Sequence, residues 1–462
     1  MIADLLSIVL DAIFPIPAQL FVGIVVVLVM IHAILGTIPL LIYFERKISS
    51  YIQDRLGPNR TGFDFGLPFL QKLFTPKGAK RPFGFWGLGQ SAADGLKFVL
   101  KEDFIPKGAD RALFTLAPIV AVIPAFIGWA VIPWGGVIEL TESISIAGRE
   151  FVEAGRALVA VGDLNIGFIY LLAVAGIGVY GVILGGWASN NKYSFLGGLR
   201  ASAGMISYEI PMGTAILAII LVAGSVQPSV IVSEQASAGW FVVSQPIAAL
   251  LFFVCSLAEA NRAPFDNAEA EQELVGGYHT EYSAMRFALF FLAEYAHMIT
   301  ASAFLVALFF GGYHLPFIPH LQPEATGLLA AFLKVQVYFI KVMLVICFMM
   351  VIRWTLPRIR YDQVLALAWN TLIPVGIAQV VATSIWVFLG WTQWWALLGM
   401  NVLLAVMITA LLAPATSVGT RNRKVQLAGS RFSPLPGERV VTGPSDPIAL
   451  SDAPMQSTTT AH

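Results

Sequence analysis

The chain has 462 residues, of which 57% are apolar and only 12% are charged. A soluble globular protein normally carries about 25% charged residues, so the composition excludes that class and indicates an integral membrane protein. The 28 basic residues equal the 28 acidic residues in number, so no net positive charge favours nucleic-acid binding. The two cysteines, Cys255 and Cys347, stand singly in apolar runs and form no metal-binding spacing.

Residues 1–19 precede the first apolar segment and contain Asp4 and Asp11 but neither Lys nor Arg. A cleaved signal peptide begins with a basic region. We therefore expect the first apolar segment to be retained. Residues 1–19 form a short N-terminal segment, which the charge distribution described below places on the outer side of the membrane.

The chain contains a series of long apolar segments. A helix needs about 20 apolar residues to span a bilayer, and uninterrupted runs of that length favour helices over barrel strands. We predict an all-α polytopic membrane domain over residues 20–415, with about nine transmembrane helices. The predicted spans are Leu20–Tyr43, Ala112–Trp134, Leu164–Ala188, Ile210–Val232, Trp240–Ala258, Phe287–Gly311, Leu328–Ile352, Leu365–Leu389 and Trp394–Leu412.

Lysine and arginine fall mainly on one side of these spans. The odd-numbered connections and the tail hold 24 of the 28 basic residues, whereas the opposite side has only Arg149 and Arg156. Because basic residues concentrate in cytoplasmic connections, we predict an N-terminus outside and a C-terminus in the cytoplasm. The tail, residues 416–462, is rich in Ser, Thr, Pro and Gly and is predicted to be disordered.

Residues 44–111 form the longest predicted connection. A structureless loop of that length is unusual, so we expect helices at the membrane interface, including the amphipathic Ala92–Lys101. Glu45 and Arg46 follow the first span, and Arg55 precedes a Gly-Pro-Asn turn. The two arginines either anchor the membrane boundary or flank a lipid-accessible cavity, where they would orient a polar headgroup.

The predicted cytoplasmic connection 258–286 is acidic, contrary to the usual bias of that side. One interpretation is a solvated acidic loop that docks a basic partner. The other is a partly buried carboxylate cluster whose raised pKa values allow proton exchange near neutral pH. Within residues 258–283 of this connection, the only lysine or arginine is Arg262. The acidic residues are Glu259, Asp266, Glu269, Glu271, Glu273 and Glu281.

Charged residues also occur inside the predicted spans, where each costs about 3 kcal/mol or more and usually marks a pathway or a partner. Glu294 lies about two turns inside the sixth span, with His297 on the same helical face. His297 alone would be more typical of a packed core histidine. Glu209 is predicted to open the fourth span. Lys334 and Lys341 share one face of the seventh span, where they either snorkel to an interface or serve such a pathway.

Motifs for redox cofactors are absent from the sequence. It contains no dinucleotide fingerprint, no P-loop and no spacing for haem or an iron–sulfur cluster. We therefore expect this chain to bind no cofactor and no metal, so that any electrons would come from partner subunits.

Several blocks of sequence, in this order across about residues 20–390, resemble one family. They are Glu45–Lys47, Arg55–Asn59, Gln90–Lys97, Lys101–Glu102, Trp187–Ser194, Ile206–Glu209, Ala258–Ser283, Phe290–Tyr295 and Arg360–Gln363. This set resembles the H subunit in the membrane arm of bacterial respiratory complex I, the NADH:quinone oxidoreductase.

The resemblance implies a subunit of the bacterial inner membrane. In the family this subunit anchors the peripheral arm and forms much of the quinone chamber together with peripheral subunits. Its buried carboxylates begin the path that couples quinone reduction to proton translocation. Quinone is then the substrate, while FMN and iron–sulfur clusters belong to partner subunits. Neighbouring membrane subunits and lipid complete the expected surroundings, and no nucleic acid is involved.

The resemblance also assigns residues by position. The residues expected at the quinone entrance and beside it are Glu45, Arg46, Arg55 and Asp94. Those expected near the quinone headgroup are Arg262, Asp266, Glu269, Glu271 and Glu273. The expected proton path comprises Glu209, Glu259, Glu271 and Glu294.

The largest departures from the family pattern are added segments. An insertion, Phe63–Trp86, lies near the expected entrance, and the family core has eight spans, so the ninth and the tail are additions. One alternative is the equivalent subunit of a quinone-reducing or hydrogenase complex with another electron donor. A stand-alone proton-coupled transporter is a further alternative, although the sequence contains no internal repeat of the kind many transporters show.

Overall fold

The computed structural model describes residues 16–62, 72, 85–146, 149–267, 271–316 and 318–419. Contacts group the chain into two units, residues 1–405 and 406–462. The described part of the second unit is the end of one helix. The predicted segments 1–19 and 416–462 and the insertion Phe63–Trp86 therefore fall mostly outside the described residues.

The described residues are mostly helical, which confirms the predicted fold class. The helices are α1 (Ala18–Ile52), α2 (Gly89–Leu100), α3 (Arg111–Ile127), α4 (Gly167–Ala188), α5 (Lys192–Ala223), α6 (Pro228–Ala238), α7 (Phe241–Ser244), α8 (Pro246–Glu259), α9 (Glu271–Leu274), α10 (Ala284–Phe309), α11 (Leu328–Thr355), α12 (Tyr361–Leu367), α13 (Ile373–Phe388) and α14 (Trp394–Gly419).

Seven helical segments among the described residues are long and apolar enough to cross a membrane. They are α1, α3, α4, α5, α10, α11 and the continuous α12–α13, in which a π-helical turn joins the two parts. The 14 residues of α8 extend over about 21 Å, less than the roughly 30 Å of a hydrocarbon core. The count of nine transmembrane helices stays a prediction.

The helices depart from three of the predicted spans. Helix α1 continues beyond the first span, the predicted fourth span crosses from α5 into α6, and the predicted fifth span is interrupted at Gln245. The 35 residues of α1 extend over about 52 Å, so Glu45 and Arg46 lie within this helix and not after it. Helix α5 begins at Lys192, where the Asn191 side chain accepts a hydrogen bond from Tyr193 N. Glu209 therefore lies in the middle of α5 and does not open it. Polar residues lowered the local hydropathy at both places without interrupting the helix.

Four short strands, absent from the sequence prediction, join α3 to α4. Strands β1 (Val137–Leu140) and β4 (Gly155–Leu158) pair antiparallel, as do β2 (Ile144–Ile146) and β3 (Arg149–Val152). Each strand has only three or four residues, too few for an alternating pattern to stand out in the sequence.

Helix α10 occupies the interior of the bundle. Within an apolar stretch of 18 residues in α10, 78% of the residues are buried, against 28% in the equivalent stretch of α11. The exposed residues of the outer helices are large and apolar, such as Leu344 and Phe348 on α11, as expected for a lipid-facing surface. Side chains carried by α10 therefore lie deep in the protein.

Lys334 and Lys341 of α11 bind backbone carbonyls of the connection between α10 and α11. Lys334 Nζ donates to Ala325 O at 2.6 Å. Lys341 Nζ donates to the carbonyl oxygens of Phe310, Gly312 and His314 at 2.7, 2.9 and 2.6 Å. Both lysine side chains therefore hold this connection through hydrogen bonds.

The chain approaches itself closely on either side of the insertion. A Cβ atom on Gly89 would clash with Gly62 O, and one on Gly87 would clash with Pro58 O. Only glycine fits such a backbone contact. The two ends of the insertion are thus held together at its base.

Candidate functional site

Glu45, near the end of α1, binds side chains from two other helices. Its Oε1 accepts a hydrogen bond from Arg353 of α11 at 2.5 Å, and its Oε2 accepts one from the Tyr295 hydroxyl of α10 at 2.5 Å. The Glu45 side chain is only 12% exposed. Three helices therefore meet at one buried carboxylate.

Arg262, in the turn after α8, lies between Glu45 and Glu294. Its Nη1 is 3.8 Å from Glu45 Oε2, and its Nη2 is 3.9 Å from Glu294 Oε2. Its guanidinium lies 4.3 Å from the centre of the Tyr295 ring, a cation–π contact. A buried charge is tolerated only when it is well paired. We name Glu45, Arg262, Glu294, Tyr295 and Arg353 the Arg262 junction.

Glu294 extends this junction toward the acidic connection. Its Oε1 accepts a hydrogen bond from the Tyr278 hydroxyl at 3.1 Å, and its side chain is 10% exposed. The structure thus brings Glu294 of the predicted proton path next to Arg262 and Glu45 of the predicted quinone site.

Two small cavities adjoin Glu294 and Glu259. The first, of about 20 Å³, is bordered by Glu259, Glu294 and His297. The second, of about 30 Å³, shares Glu259 and His297 and continues between apolar side chains to Phe304. A buried water needs about 10–15 Å³ of such volume. Each cavity therefore has room for water that would bridge these polar groups.

Glu209 and His297 border the same region from α5 and α10. The Glu209 carboxylate faces α4 at Gly176, where an added Cβ would lie 3.0 Å from its Oε1. His297 faces the same helix α4 two residues further on, where a Cβ added at Gly178 would lie 3.0 Å from its Nε2. His297 Nε2 lies 3.3 Å from Ala121 O. The structure therefore places Glu209, Glu259, His297 and Glu294 in one interior region.

Of the residues predicted at the entrance, Arg46 and Asp94 meet where α1 contacts α2, whereas Glu45 lies in the Arg262 junction. Arg46 Nη2 is 2.7 Å from Asp94 Oδ2, and Gln90 Nε2 donates to Asp94 Oδ1 at 3.1 Å. Arg55 is exposed on the turn after α1 and forms no ion pair with another described residue. The structure therefore joins Arg46 to Asp94 but does not bring Arg55 to them.

The remaining acidic residues fall into separate pairs. Asp266 Oδ2 lies 2.7 Å from Arg358 Nη2, and Glu273 Oε2 lies 2.7 Å from Arg200 Nη1. Glu269 lies outside the described residues, and Glu271 is described only as the first residue of α9. Among the described residues, no group of His, Cys, Asp and Glu is arranged to hold a metal ion.

Comparison with known proteins identifies the family. A family model described as NADH dehydrogenase matches residues 24–384. The NADH-quinone oxidoreductase H subunit 1 of Geobacter sulfurreducens is 43% identical over 377 residues, 80% of this chain and 97% of the relative.

The chain belongs to this family. The H subunit 1 of the NADH-quinone oxidoreductase of Cytophaga hutchinsonii is 43% identical over 74% of this chain and 90% of the relative. NADH-quinone oxidoreductase subunit 8 of Rhodothermus marinus is 43% identical over 78% of this chain and 95% of the relative. Family membership and the long apolar helices establish an integral membrane protein.

Sequence reasoning missed several partners that the structure of this family member reveals. Arg353 and Arg358 follow the predicted seventh span, and in the sequence they indicate only which side of the membrane that connection faces. In the structure Arg353 pairs with Glu45, and Arg358 pairs with Asp266. Tyr295 and Tyr278, which bind Glu45 and Glu294, look like ordinary aromatic core residues in the sequence. Nothing in a single sequence indicates that residues 250 positions apart, such as Tyr295 and Glu45, are in contact.

Proposed function

We propose that this chain forms the membrane wall of the quinone chamber of a NADH:quinone oxidoreductase, together with peripheral subunits. In this proposal its buried carboxylates couple quinone reduction to proton translocation. The observation that carries the proposal is Arg262, which lies within 4 Å of both Glu45 and Glu294. One guanidinium thus contacts both a predicted chamber residue and a predicted proton-path residue.

The chamber residues have distinct roles in the proposal. Arg46, Asp94 and Arg55 lie near the entrance, and Arg46 orients a polar headgroup through the guanidinium that Asp94 holds. Glu45 was predicted at the entrance, but its position beside Arg262 assigns it in this proposal to the headgroup side, with the residues of the acidic connection. The latter are Arg262, Asp266, Glu269, Glu271 and Glu273.

Coupling follows from electrostatics at the Arg262 junction. Reduction of a quinone to a quinol takes up two electrons and two protons, so negative charge develops at the headgroup before protonation. That charge competes with Glu294 for the Arg262 guanidinium, which favours protonation of Glu294. Water in the two cavities then links Glu294 to Glu259. Glu209, which borders neither cavity, continues the path from Glu259, and Glu271 supplies the connection from the headgroup side.

Electrons reach the quinone through other chains. FMN and iron–sulfur clusters belong to peripheral partner subunits in this proposal, and neighbouring membrane subunits continue the proton path. The complex resides in a bacterial inner membrane, with the N-terminus outside and the C-terminus in the cytoplasm. The support for this orientation is the location of 24 of the 28 basic residues on one side of the predicted spans.

The names of the relatives favour NADH-quinone oxidoreductase over a hydrogenase or another donor. They also give no support to a stand-alone transporter. Native purification distinguishes these alternatives, because the proposal requires recovery together with flavin and iron–sulfur subunits.

The decisive experiment replaces Glu294 or Glu259 by Gln in the intact complex. Glutamine keeps the size of the side chain but cannot exchange a proton, so we expect assembly to persist while proton pumping in proteoliposomes falls about tenfold or more. Glu234→Gln on α6, where the side chain is exposed, is the matched control. Wild-type pumping in both Glu294→Gln and Glu259→Gln would contradict the proposal.

A further inference from the structure

A second buried polar group lies at the end of α8 opposite to Glu259. The helical conformation is interrupted between α7 and α8 at Gln245, whose φ and ψ are −131° and 57°. Five polar side chains from three helical regions gather there, and each is at most 3% exposed. They are Ser244, Gln245, Gln379, Thr383 and Asn401, which we name the amide cluster.

Hydrogen bonds within the amide cluster join α8, α13 and α14. Gln379 Nε2 donates to Gln245 Oε1 and, at 3.1 Å, to Asn401 Oδ1. Asn401 Nδ2 lies 3.1 Å from Gln245 Oε1 and 3.1 Å from Ser244 O. Helix α14 begins at Trp394, beyond the family match that ends at residue 384. The cluster therefore attaches a helix from outside the family match to the family core.

Four atoms of the cluster have no hydrogen-bond partner among the described residues. They are Ser244 Oγ, Gln245 Nε2, Gln379 Oε1 and Thr383 Oγ1. A buried polar atom without a hydrogen bond destabilises the folded protein by about 1–3 kcal/mol. A ligand that forms hydrogen bonds to several of these atoms therefore binds favourably.

The chemistry of these atoms selects the ligand. Gln245 Nε2 is a donor, Gln379 Oε1 is an acceptor, and the two hydroxyls can be either. Water both donates and accepts, so it matches this mixed set. A metal cation requires acceptors only and would be repelled by the Gln245 N–H groups.

A cavity lies near the cluster, although none of the five cluster residues borders it. It has a volume of about 430 Å³, and its border includes Trp240, Val243 and Trp394. Val243 immediately precedes Ser244. Trp394 lies seven residues before Asn401, two helical turns away on a similar face of α14.

We propose that the amide cluster is a water-binding site filled through the cavity beside Trp240 and Trp394. Bound water satisfies the four atoms and completes the attachment of α14 to α8 and α13. This site is independent of the carboxylates and of the function proposed above, because it lies at the other end of α8.

Cryo-electron microscopy of the intact complex, at a resolution that shows ordered water, tests the site directly. We expect density within about 3.2 Å of both Gln245 Nε2 and Gln379 Oε1. A map that shows ordered water elsewhere in the protein but none at these atoms would overturn the proposal.

Thiol reactivity tests the route in the membrane. In a background with Cys255→Ala and Cys347→Ala, we compare Ser244→Cys and Thr383→Cys with Val402→Cys. Val402 is 56% exposed on the apolar face of α14. Methyl methanethiosulfonate reacts with the thiolate, which forms only where water reaches the sulfur.

We expect Ser244→Cys or Thr383→Cys to react about tenfold faster or more than Val402→Cys, although the latter is far more exposed. Assembly of each variant is checked by co-purification of the other subunits. Slower reaction at both cluster positions than at Val402→Cys, in assembled complex, would exclude a water route to the cluster.

Discussion

The Arg262 junction and the amide cluster are two buried polar groups near opposite ends of α8, and they differ in charge. The junction has two arginines against two carboxylates, all inside the region matched by the family. The amide cluster is neutral, and one of its members belongs to a helix beyond that region. A buried charge that loses its partner is far more costly than a neutral amide that loses one. The two groups should therefore respond very differently to substitution.

Arg262→Met should have the largest effect. It leaves Glu45 and Glu294 without their shared cation, a change that typically costs about 3–5 kcal/mol. We expect little assembled complex and a markedly lower thermal stability, measured by native electrophoresis and differential scanning fluorimetry. As a control, Arg156→Met removes an ion pair to Glu139 in which the arginine side chain is 73% exposed, and it should change stability by less than about 1 kcal/mol. Equal behaviour of the two variants would contradict the importance of the junction.

Arg353→Met should be less severe. Glu45 keeps the Tyr295 hydrogen bond and the more distant Arg262, so we expect a loss of about 1.5–3 kcal/mol, the contribution of a charged hydrogen bond. Chemical denaturation of the purified complex, followed by tryptophan fluorescence, measures this loss. A change as large as that of Arg262→Met would show that Arg353, not Arg262, is the principal partner.

The contrast between the two groups also explains what could be predicted from the sequence. The helices follow from long apolar runs, and carboxylates such as Glu294 stand out because charge is rare inside a span. Gln245, Gln379 and Asn401 did not stand out, because amides lower hydropathy only slightly and their importance depends on one another. Their proximity arises from tertiary packing, which no local pattern encodes.

The errors in the span boundaries have the same origin. Lys192, Arg200 and Glu209 made the first half of α5 look like a loop, whereas Arg200 pairs with Glu273 and Glu209 lies in the interior. A helix that carries functional polar residues loses its apolar signal at the positions where those residues act. Prediction from hydropathy therefore underestimates the length of such a helix.

Gln379→Leu should have an intermediate to small effect. It breaks two amide hydrogen bonds but leaves no charge unpaired, so we expect a loss of about 1–2 kcal/mol. The double variant Gln379→Leu/Asn401→Leu should lose less than the sum of the single variants, because one hydrogen bond is shared. Thermal unfolding of the three variants measures this difference. Strictly additive losses would contradict the hydrogen-bonded cluster.

Arg46→Gln should change stability least of all. The Arg46 side chain is 47% exposed, and ion pairs of that kind contribute about 0–1 kcal/mol. If Arg46 orients a headgroup at the entrance, the apparent KM for a short-chain quinone should rise while thermal stability stays unchanged. Steady-state kinetics test this, with Arg156→Gln as the matched control. An unchanged KM would show that Arg46 does not orient the quinone headgroup at the entrance.

The central claim is that Arg262 couples Glu45 to Glu294, and a double-mutant cycle tests it most directly. Proton pumping is measured for Glu45→Gln, Glu294→Gln and the double variant. Residues that share one partner typically show a coupling of about 0.5–3 kcal/mol. We predict a coupling of at least about 1 kcal/mol, which is about fivefold in rate. The pair Glu45→Gln and Glu234→Gln should show a coupling near zero. Effects of Glu45→Gln and Glu294→Gln that multiply independently would contradict the account.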